Sequence, residues 1–235
     1  MIFISPPFGN YLSIHNTVSI KGSYTLEPRS GLIIQILNTL RYSFKYYGWI
    51  NKIGLKNPGI DYAIKNYDNK SIISIAILNK DEIPKLLEKI PRNMNLEINV
   101  SCPNLEQKMI ENNIHKFINN ERRWCIIKVS PYCTTKKLDE YYKYGFRQFH
   151  CSNTIPTQNG GLSGSSIIPH STLLVAHLKN KYPNSVVIGG GGIKSKQEID
   201  IYKKCGADYF SISTLCFHPI LFYKFYKSVI KPGNF

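Results

Sequence analysis

The chain of 235 residues is 43% hydrophobic and 19% charged, which excludes a disordered segment and supplies enough apolar material for one folded domain spanning 1–235. Its net charge of +15, from 30 Lys and Arg against 15 Asp and Glu, suits phosphates, nucleic acid or an anionic surface. The basic residues are nevertheless scattered among Asn, Ile and Tyr, as in KNYDNK and KNKYPN, which fits solvated helix faces about as well as a binding stripe, so nucleic acid is not the expected partner.

In chain order, IFIS at 2–5 reads as a first strand, and MIFISPPF is too short and too soon broken by proline to be a signal or a membrane span. A soluble, cytoplasmic protein with no membrane partner is the expectation. TVSIKGSY at 17–24 reads as the second strand. Residues 25–57 then break the rhythm: TLEPRSG, an apolar helical pattern and GWINKIGLKNPG form a long excursion of the kind that carries function. After it, the strands SIISIAIL at 71–78, LEINV at 96–100, WCIIKVS at 124–130, FRQFHCS at 146–152, SVVIGG at 185–190 and ADYFSIS at 207–213 alternate with amphipathic stretches. Those stretches are DEIPKLLEKI, KKLDEYYKYG, HSTLLVAHLKNKY, KQEIDIYKKCG and the closing PILFYKFYKSVI, with Gly145 and Gly206 placed where helices stop. Eight strands alternating with helices predict an α/β fold, a parallel (β/α)8 TIM barrel, with an open doubly wound sheet as the alternative.

In a barrel the chemistry lies at the C-terminal ends of the strands, and the residues there are polar. LEINV runs into Ser101-Cys102-Pro103-Asn104, where Cys102 is either a small buried hydrophobe or a group that handles protons. Asn99 shares a face with Ser101, opposite Cys102, if the strand stays regular. Lys128, in an Ile-rich strand, needs an anion if it is buried, or else reaches a rim. Asn153 and Thr154 follow the sixth strand. IGGGGI at 188–193 is either a tight turn or a set of unobstructed N–H groups at a helix start; its place after the seventh strand, with Ser213-Thr214 after the eighth, favours a phosphate group. The six cysteines form no C-x-x-C pair and the six histidines no H-E-x-x-H, so no metal site is expected and a reducing compartment is. No G-x-G-x-x-G follows an early strand, which speaks against a Rossmann-type nicotinamide site.

Taken together, NVSCPN, IIKVSPY, NT followed by GGLSG, and IGGGGI before ISTLCF resemble the dihydroorotate dehydrogenase family, FMN-dependent (β/α)8 enzymes of pyrimidine synthesis. TLEPRSG and INKIGLKNPGID resemble that family's early segments, and the likeness runs collinearly from about Phe8 to about Phe217. The resemblance implies FMN as cofactor and Cys102 as the base that takes a proton from C5 of dihydroorotate while a hydride leaves C6 for the flavin. It implies that Asn51, Asn99, Asn104 and Asn153 hold the orotate ring and carboxylate, with Gly54, Leu55 and Thr154 beside them. Lys128 then lies near flavin N1 and the C2 carbonyl; Gly164, Gly191, Gly192, Ser213 and Thr214 cradle the FMN phosphate; Lys21, Ser23 and Asn99 flank the flavin.

The sequence also departs from that pattern. Alignment on TLEPR puts Gly22 where the family has a lysine that touches flavin and substrate, and Lys21, one residue away, faces the opposite side of the strand unless a bulge intervenes. SPPFG replaces a small-residue turn, the section between Asn153-Thr154 and Gly160-Gly161 is compressed, and the G-N-x-P-x-P-R continuation after TLEPRSG is missing. These departures fall around the lid and substrate rim rather than at the phosphate cradle. Fumarate as electron acceptor and a homodimer are what the resemblance implies for partners. A tRNA-dihydrouridine synthase-like flavoenzyme, which the +15 charge suits, and an inactive flavin-binding pseudoenzyme are the alternatives.

Overall fold

The β-rich runs become strands because both of their faces are buried. The computed structural model describes residues 1–101 and 113–231, which run β1 (Ile2–Ile4), β2 (Thr17–Tyr24), α1 (Leu32–Thr39), β3 (Arg41–Ser43), β4 (Gly48–Asn51), α2 (Ile60–Lys65), β5 (Ile72–Ile75), α3 (Glu82–Lys89), β6 (Leu96–Asn99) and β7 (Cys125–Val129). They continue through α4 (Thr135–Lys143), β8 (Gln148–Cys151), β9 (Ile155–Thr157), β10 (Gly160–Gly164), α5 (Ile168–Lys181), β11 (Val186–Gly190), α6 (Lys196–Lys204), β12 (Tyr209–Ile212) and α7 (Pro219–Phe225). Strands β1, β2, β5, β6, β7, β8, β11 and β12 pair in that order, all parallel, and β12 returns to β1. With β1 bonded on both sides the sheet has no edge, so the fold is the closed (β/α)8 barrel and not the open doubly wound sheet.

Alternation along each strand sorts the side chains. Ile73 and Ile75 on β5, Ile98 on β6 and Ile127 and Val129 on β7 face outward into one apolar cluster with the helices. Phe3, Ile20, Ile72, Trp124, Ile126 and Ile188 face inward and fill the lower barrel, with Phe3 edge-on to Trp124 at 5.5 Å. One step further up the same inward rows the residues turn polar: Ser74, Glu97, Lys128, His150 and Ser211 are all buried. The barrel is thus greasy below and polar above, which places the chemistry at the C-terminal ends of the strands.

The helices start and stop by local chemistry. Thr134 caps α4 by accepting from the Lys137 N–H, and Ser195 with Glu198 forms a capping box on α6. Gly145 and Gly206 end α4 and α6 as the sequence predicts: each has positive φ, and the residue after it donates back five residues into the helix end, Phe146 to the Tyr141 carbonyl and Ala207 to that of Tyr202. Among the described residues no helix is long and apolar enough to cross a membrane.

The excursion at 25–57 resolves into α1 and the β3–β4 hairpin, and GGLSG is strand β10. Together β3, β4, β10 and β9 make an antiparallel sheet in that order, over a small core of Ile50, Ile155, Leu162 and Ile167. Glycine is what lets β10 come this close to β4: a Cβ on Gly160 would lie 2.2 Å from the Asn51 carbonyl oxygen.

The lower plug makes a direct prediction. Phe3→Ala removes a fully buried ring from it and should destabilise the fold by about 3–5 kcal/mol in urea titrations, whereas Ile33→Ala, at a side chain 74% exposed, should stay within about 0.5 kcal/mol.

Candidate active site

Parallel register sets the first geometry. Asn99 on β6 pairs with Lys128 on β7, and Lys128 with His150 on β8, so three polar side chains stand at neighbouring positions around the barrel wall. Just below them Glu97 is fully buried. Its Oε1 accepts a hydrogen bond from Ser74 Oγ at 2.8 Å, its Oε2 lies 2.6 Å from His150 Nδ1, and the Lys128 ammonium is 3.7 Å from Oε1. This is the anion that a buried Lys128 requires.

Burial by itself would raise the Glu97 carboxyl, but Lys128, His150 and Ser74 outweigh it and hold the group at about 2, below its ordinary 4.5. Burial also pushes the His150 imidazole below its ordinary 6.5, against the pull of Glu97, so it is neutral at pH 7. An ionised carboxylate can only accept, so the single imidazole proton sits on Nδ1 and is donated to Glu97. Among the described residues His150 Nε2 is buried without a partner.

Above this layer the hydrogen bonds run sideways. Asn99 Nδ2 donates to Ser23 Oγ at 2.9 Å, and Asn99 Oδ1 accepts from Asn153 Nδ2 at 3.2 Å and from the Ser101 N–H at 3.2 Å. Asn153 Nδ2 also reaches the Ser101 carbonyl at 2.7 Å, and its Oδ1 accepts from the Thr154 N–H. The two asparagines therefore lock one another and the end of β6.

A two-lobed cavity lies over these groups. The smaller lobe, about 90 Å³, is lined by Gly164, Gly191, Gly192, Ser152, Ser213 and Thr214. The larger, about 340 Å³, has Asn51, Gly54, Leu55 and Ser23 on its wall and an aromatic side in which Trp49 stacks on Phe217, with ring centroids 4.4 Å apart. Lys128, Asn153, Thr154, Ser213 and Thr214 line both lobes, so the two meet at the head of Lys128. Asn99 joins them on the larger side.

Of the residues singled out from the sequence, Lys21 is the one described residue that does not come to the cavity. Its Nζ is paired with Asp68 at 2.8 Å, before the start of β5. The irregularity in β2 that could have turned it inward falls between Lys21 and Tyr24, after Lys21 has already paired in register with Ile73, so its side chain keeps the outward direction. Gly22 is at the cavity in its place, with φ +120°, and a Cβ there would lie 2.5 Å from the Ser74 carbonyl oxygen. Cys102 and Asn104 lie outside the described residues; Ser101, which precedes Cys102, is at the site. Sequence reasoning passed over Glu97 and His150. An acid at an inward position of a buried strand, with a lysine inward on a later one, was the available signal.

Comparison with known proteins agrees with the fold. No family model matches the chain. The catalytic subunit of dihydroorotate dehydrogenase B (NAD(+)) from Thermotoga maritima is 25% identical over 250 residues, covering 92% of this chain and 91% of that protein. A putative dihydroorotate dehydrogenase A (fumarate) from Streptococcus agalactiae is 28% identical, over 81% of this chain and 72% of that one. Over most of its length this chain is similar in sequence to dihydroorotate dehydrogenases. A solved structure of dihydroorotate dehydrogenase from Eimeria tenella in complex with ferulenol has the same fold, with TM-score 0.71 at 16% identity over 98% of this chain and 80% of that one.

The buried pair has a pH signature. Glu97 and His150 both bind protons less readily when folded than unfolded, so their contribution is present above the unfolded values and is lost as pH falls, first below 6.5 and then from 4.5 towards 2. The Glu97 part is on the order of 3 kcal/mol. Unfolding free energy measured from pH 7 to 3 should fall steeply in the wild type and more gently in Glu97→Gln.

Proposed function

We propose that the chain is an FMN-dependent oxidoreductase that converts dihydroorotate to orotate in pyrimidine synthesis. The observation that carries this reading is the meeting of the two lobes at Lys128: a small polar recess built from glycines and hydroxyls opens directly into a larger, partly aromatic chamber floored by paired amides. A molecule with a phosphate at one end and a flat heteroaromatic ring at the other matches both lobes.

The residues present fit FMN. At Gly192 a Cβ would lie 2.7 Å from Ser165 Cα and 2.9 Å from the Gly164 carbonyl oxygen, so any side chain would fill the recess where the two loops meet. Gly164, Gly191, Gly192, Ser213 and Thr214 would hold the phosphate, Lys128 would stand beside the ring, and Trp49, whose Nε1 is buried without a partner among the described residues, would bring an unspent donor to the aromatic wall. Bound there, FMN would supply a hydride acceptor.

What the chain itself contributes is position and proton transfer. Asn99 and Asn153 at the floor and Asn51 at the wall present amide groups suited to a planar cyclic imide, with Gly54, Leu55 and Thr154 completing the rim. The fixed positive charge of Lys128 favours negative charge that develops beside it. Cys102 follows Ser101 at the end of β6 and is the proposed base for the C5 proton; a thiol needs only modest tuning to work near neutral pH. Asn104 is proposed to join the substrate asparagines. Fumarate, the acceptor in the name of the Streptococcus agalactiae relative, is the proposed electron acceptor.

Purified protein reconstituted with FMN should be yellow and should bleach anaerobically on addition of dihydroorotate. Cys102→Ala should keep the flavin spectrum and slow bleaching by about 10²–10⁴-fold. Bleaching by a nicotinamide cofactor alone, with salt-sensitive tRNA binding, would favour a uridine-modifying enzyme, and yellow protein that neither dihydroorotate nor a nicotinamide cofactor bleaches would leave an inactive flavin-binding pseudoenzyme. Gly192→Val should abolish FMN uptake, as followed by quenching of flavin fluorescence.

A further inference from the structure

We propose that Glu97 is a positioning residue for the site, acting at a distance through a hydrogen-bond chain whose direction its charge dictates. This rests on the proposed reading only for the identity of the ligands used to test it.

The chain can be followed atom by atom. Glu97 as carboxylate has no proton to give, so the Ser74 hydroxyl must donate to Oε1 at 2.8 Å. With its proton spent, Ser74 Oγ can only accept from Ser23 Oγ, 2.8 Å away. Ser23 Oγ, having donated, accepts from Asn99 Nδ2 at 2.9 Å. An asparagine amide can ordinarily be flipped at little cost; here the flip is forbidden, because its oxygen would face a hydroxyl already committed elsewhere. Asn99 therefore turns its NH₂ towards β2 and its oxygen towards Asn153 and the Ser101 N–H. One Nδ2 hydrogen remains for an occupant of the larger lobe, which Asn99 and Ser23 both line.

The same carboxylate works on its other side. Lys128 Nζ is 3.7 Å from Oε1, close enough to be neutralised in part and too far for a direct hydrogen bond, so its own donors stay available to the cavity. His150 closes the remaining oxygen at 2.6 Å. The charged groups facing this histidine are Glu97 on β6 and Lys128 on β7, while its neighbour on β11 is the apolar Ile188. Glu97 thus fixes what the cavity floor offers: an amide donor from Asn99 and a cation from Lys128.

Three variants test this: Ser74→Ala, Glu97→Gln and the double variant, each loaded with FMN and titrated with orotate by the flavin absorbance change, with FMN affinity from fluorescence. Ser74→Ala cuts the chain but leaves the charge beside Lys128, so orotate should bind about tenfold more weakly with FMN affinity within about twofold. Glu97→Gln should weaken both ligands about tenfold, and the double variant should bind orotate no worse than Glu97→Gln alone, since one chain cannot be cut twice. Effects that multiply to about a hundredfold, or an unchanged orotate affinity in Glu97→Gln beside a lowered melting temperature, would mean that Glu97 is only a fold brace. The unliganded wild type gives an independent answer that stands whether or not FMN or orotate binds: the Glu97 carboxylate ¹³C shift should be flat between pH 8 and 4, and a titration in that interval overturns the proposal.

Discussion

A carboxylate sealed from water at mid-height of a barrel is the constraint on which the upper half of this molecule depends. Below Glu97 the interior is hydrocarbon, so the charge finds no help there. Leaving a buried ion unpaired costs several kcal/mol, and every polar contact around it answers that cost: Ser74 and His150 by hydrogen bonds, Lys128 by opposite charge. The lysine gains in return. An ammonium in an Ile-rich strand would be as costly alone, and the two together form a polar floor that neither could form singly.

The roof over that floor is built on a different principle. Helix α1 has no buried residue, yet Leu32, Ile36 and Leu40 form one wall of the larger lobe. It is held by hydrogen bonds instead of a core: Gln35 Nε2 donates to the Lys52 carbonyl and the Lys52 N–H donates to Thr39 Oγ1. The antiparallel sheet completes the roof through Trp49 and Ser163, which pair across β4 and β10 and both line the cavity. A rigid, charge-balanced floor and a lightly anchored apolar roof are what a site needs if a flat ring is to enter from above and find its polar partners beneath.

Legibility in the sequence followed the same division. All eight barrel strands are visible as runs rich in β-branched or aromatic residues, because parallel strands buried on both faces leave a dense local signal. The phosphate recess is visible because glycine at a strand end has few other uses. Strands β3, β4, β9 and β10 are not visible: they are three to five residues long, and the glycines that let β10 approach β4 are the residues that mark a loop. Glu97 and His150 were missed for a related reason. Each sits singly in an apolar strand, and their partnership spans 53 positions of sequence, so only the register of β6, β7 and β8 brings them together.

The exchange at positions 21–23 shows how the floor and the strand geometry depend on each other. A lysine at Gly22 would need space that the Ser74 carbonyl already occupies, 2.5 Å from where its Cβ would begin. The close approach of β2 to β5 that excludes it is also what brings Ser23 Oγ to Ser74 Oγ. With Lys21 committed to Asp68, the lysines lining the cavity among the described residues are Lys128 on the floor and Lys56 at the larger lobe. From this strand the site receives no cation but a hydroxyl, which ties Asn99 to the buried carboxylate. A site arranged in this way depends on one rigid cation and on oriented dipoles, and the charge of Glu97 sets both.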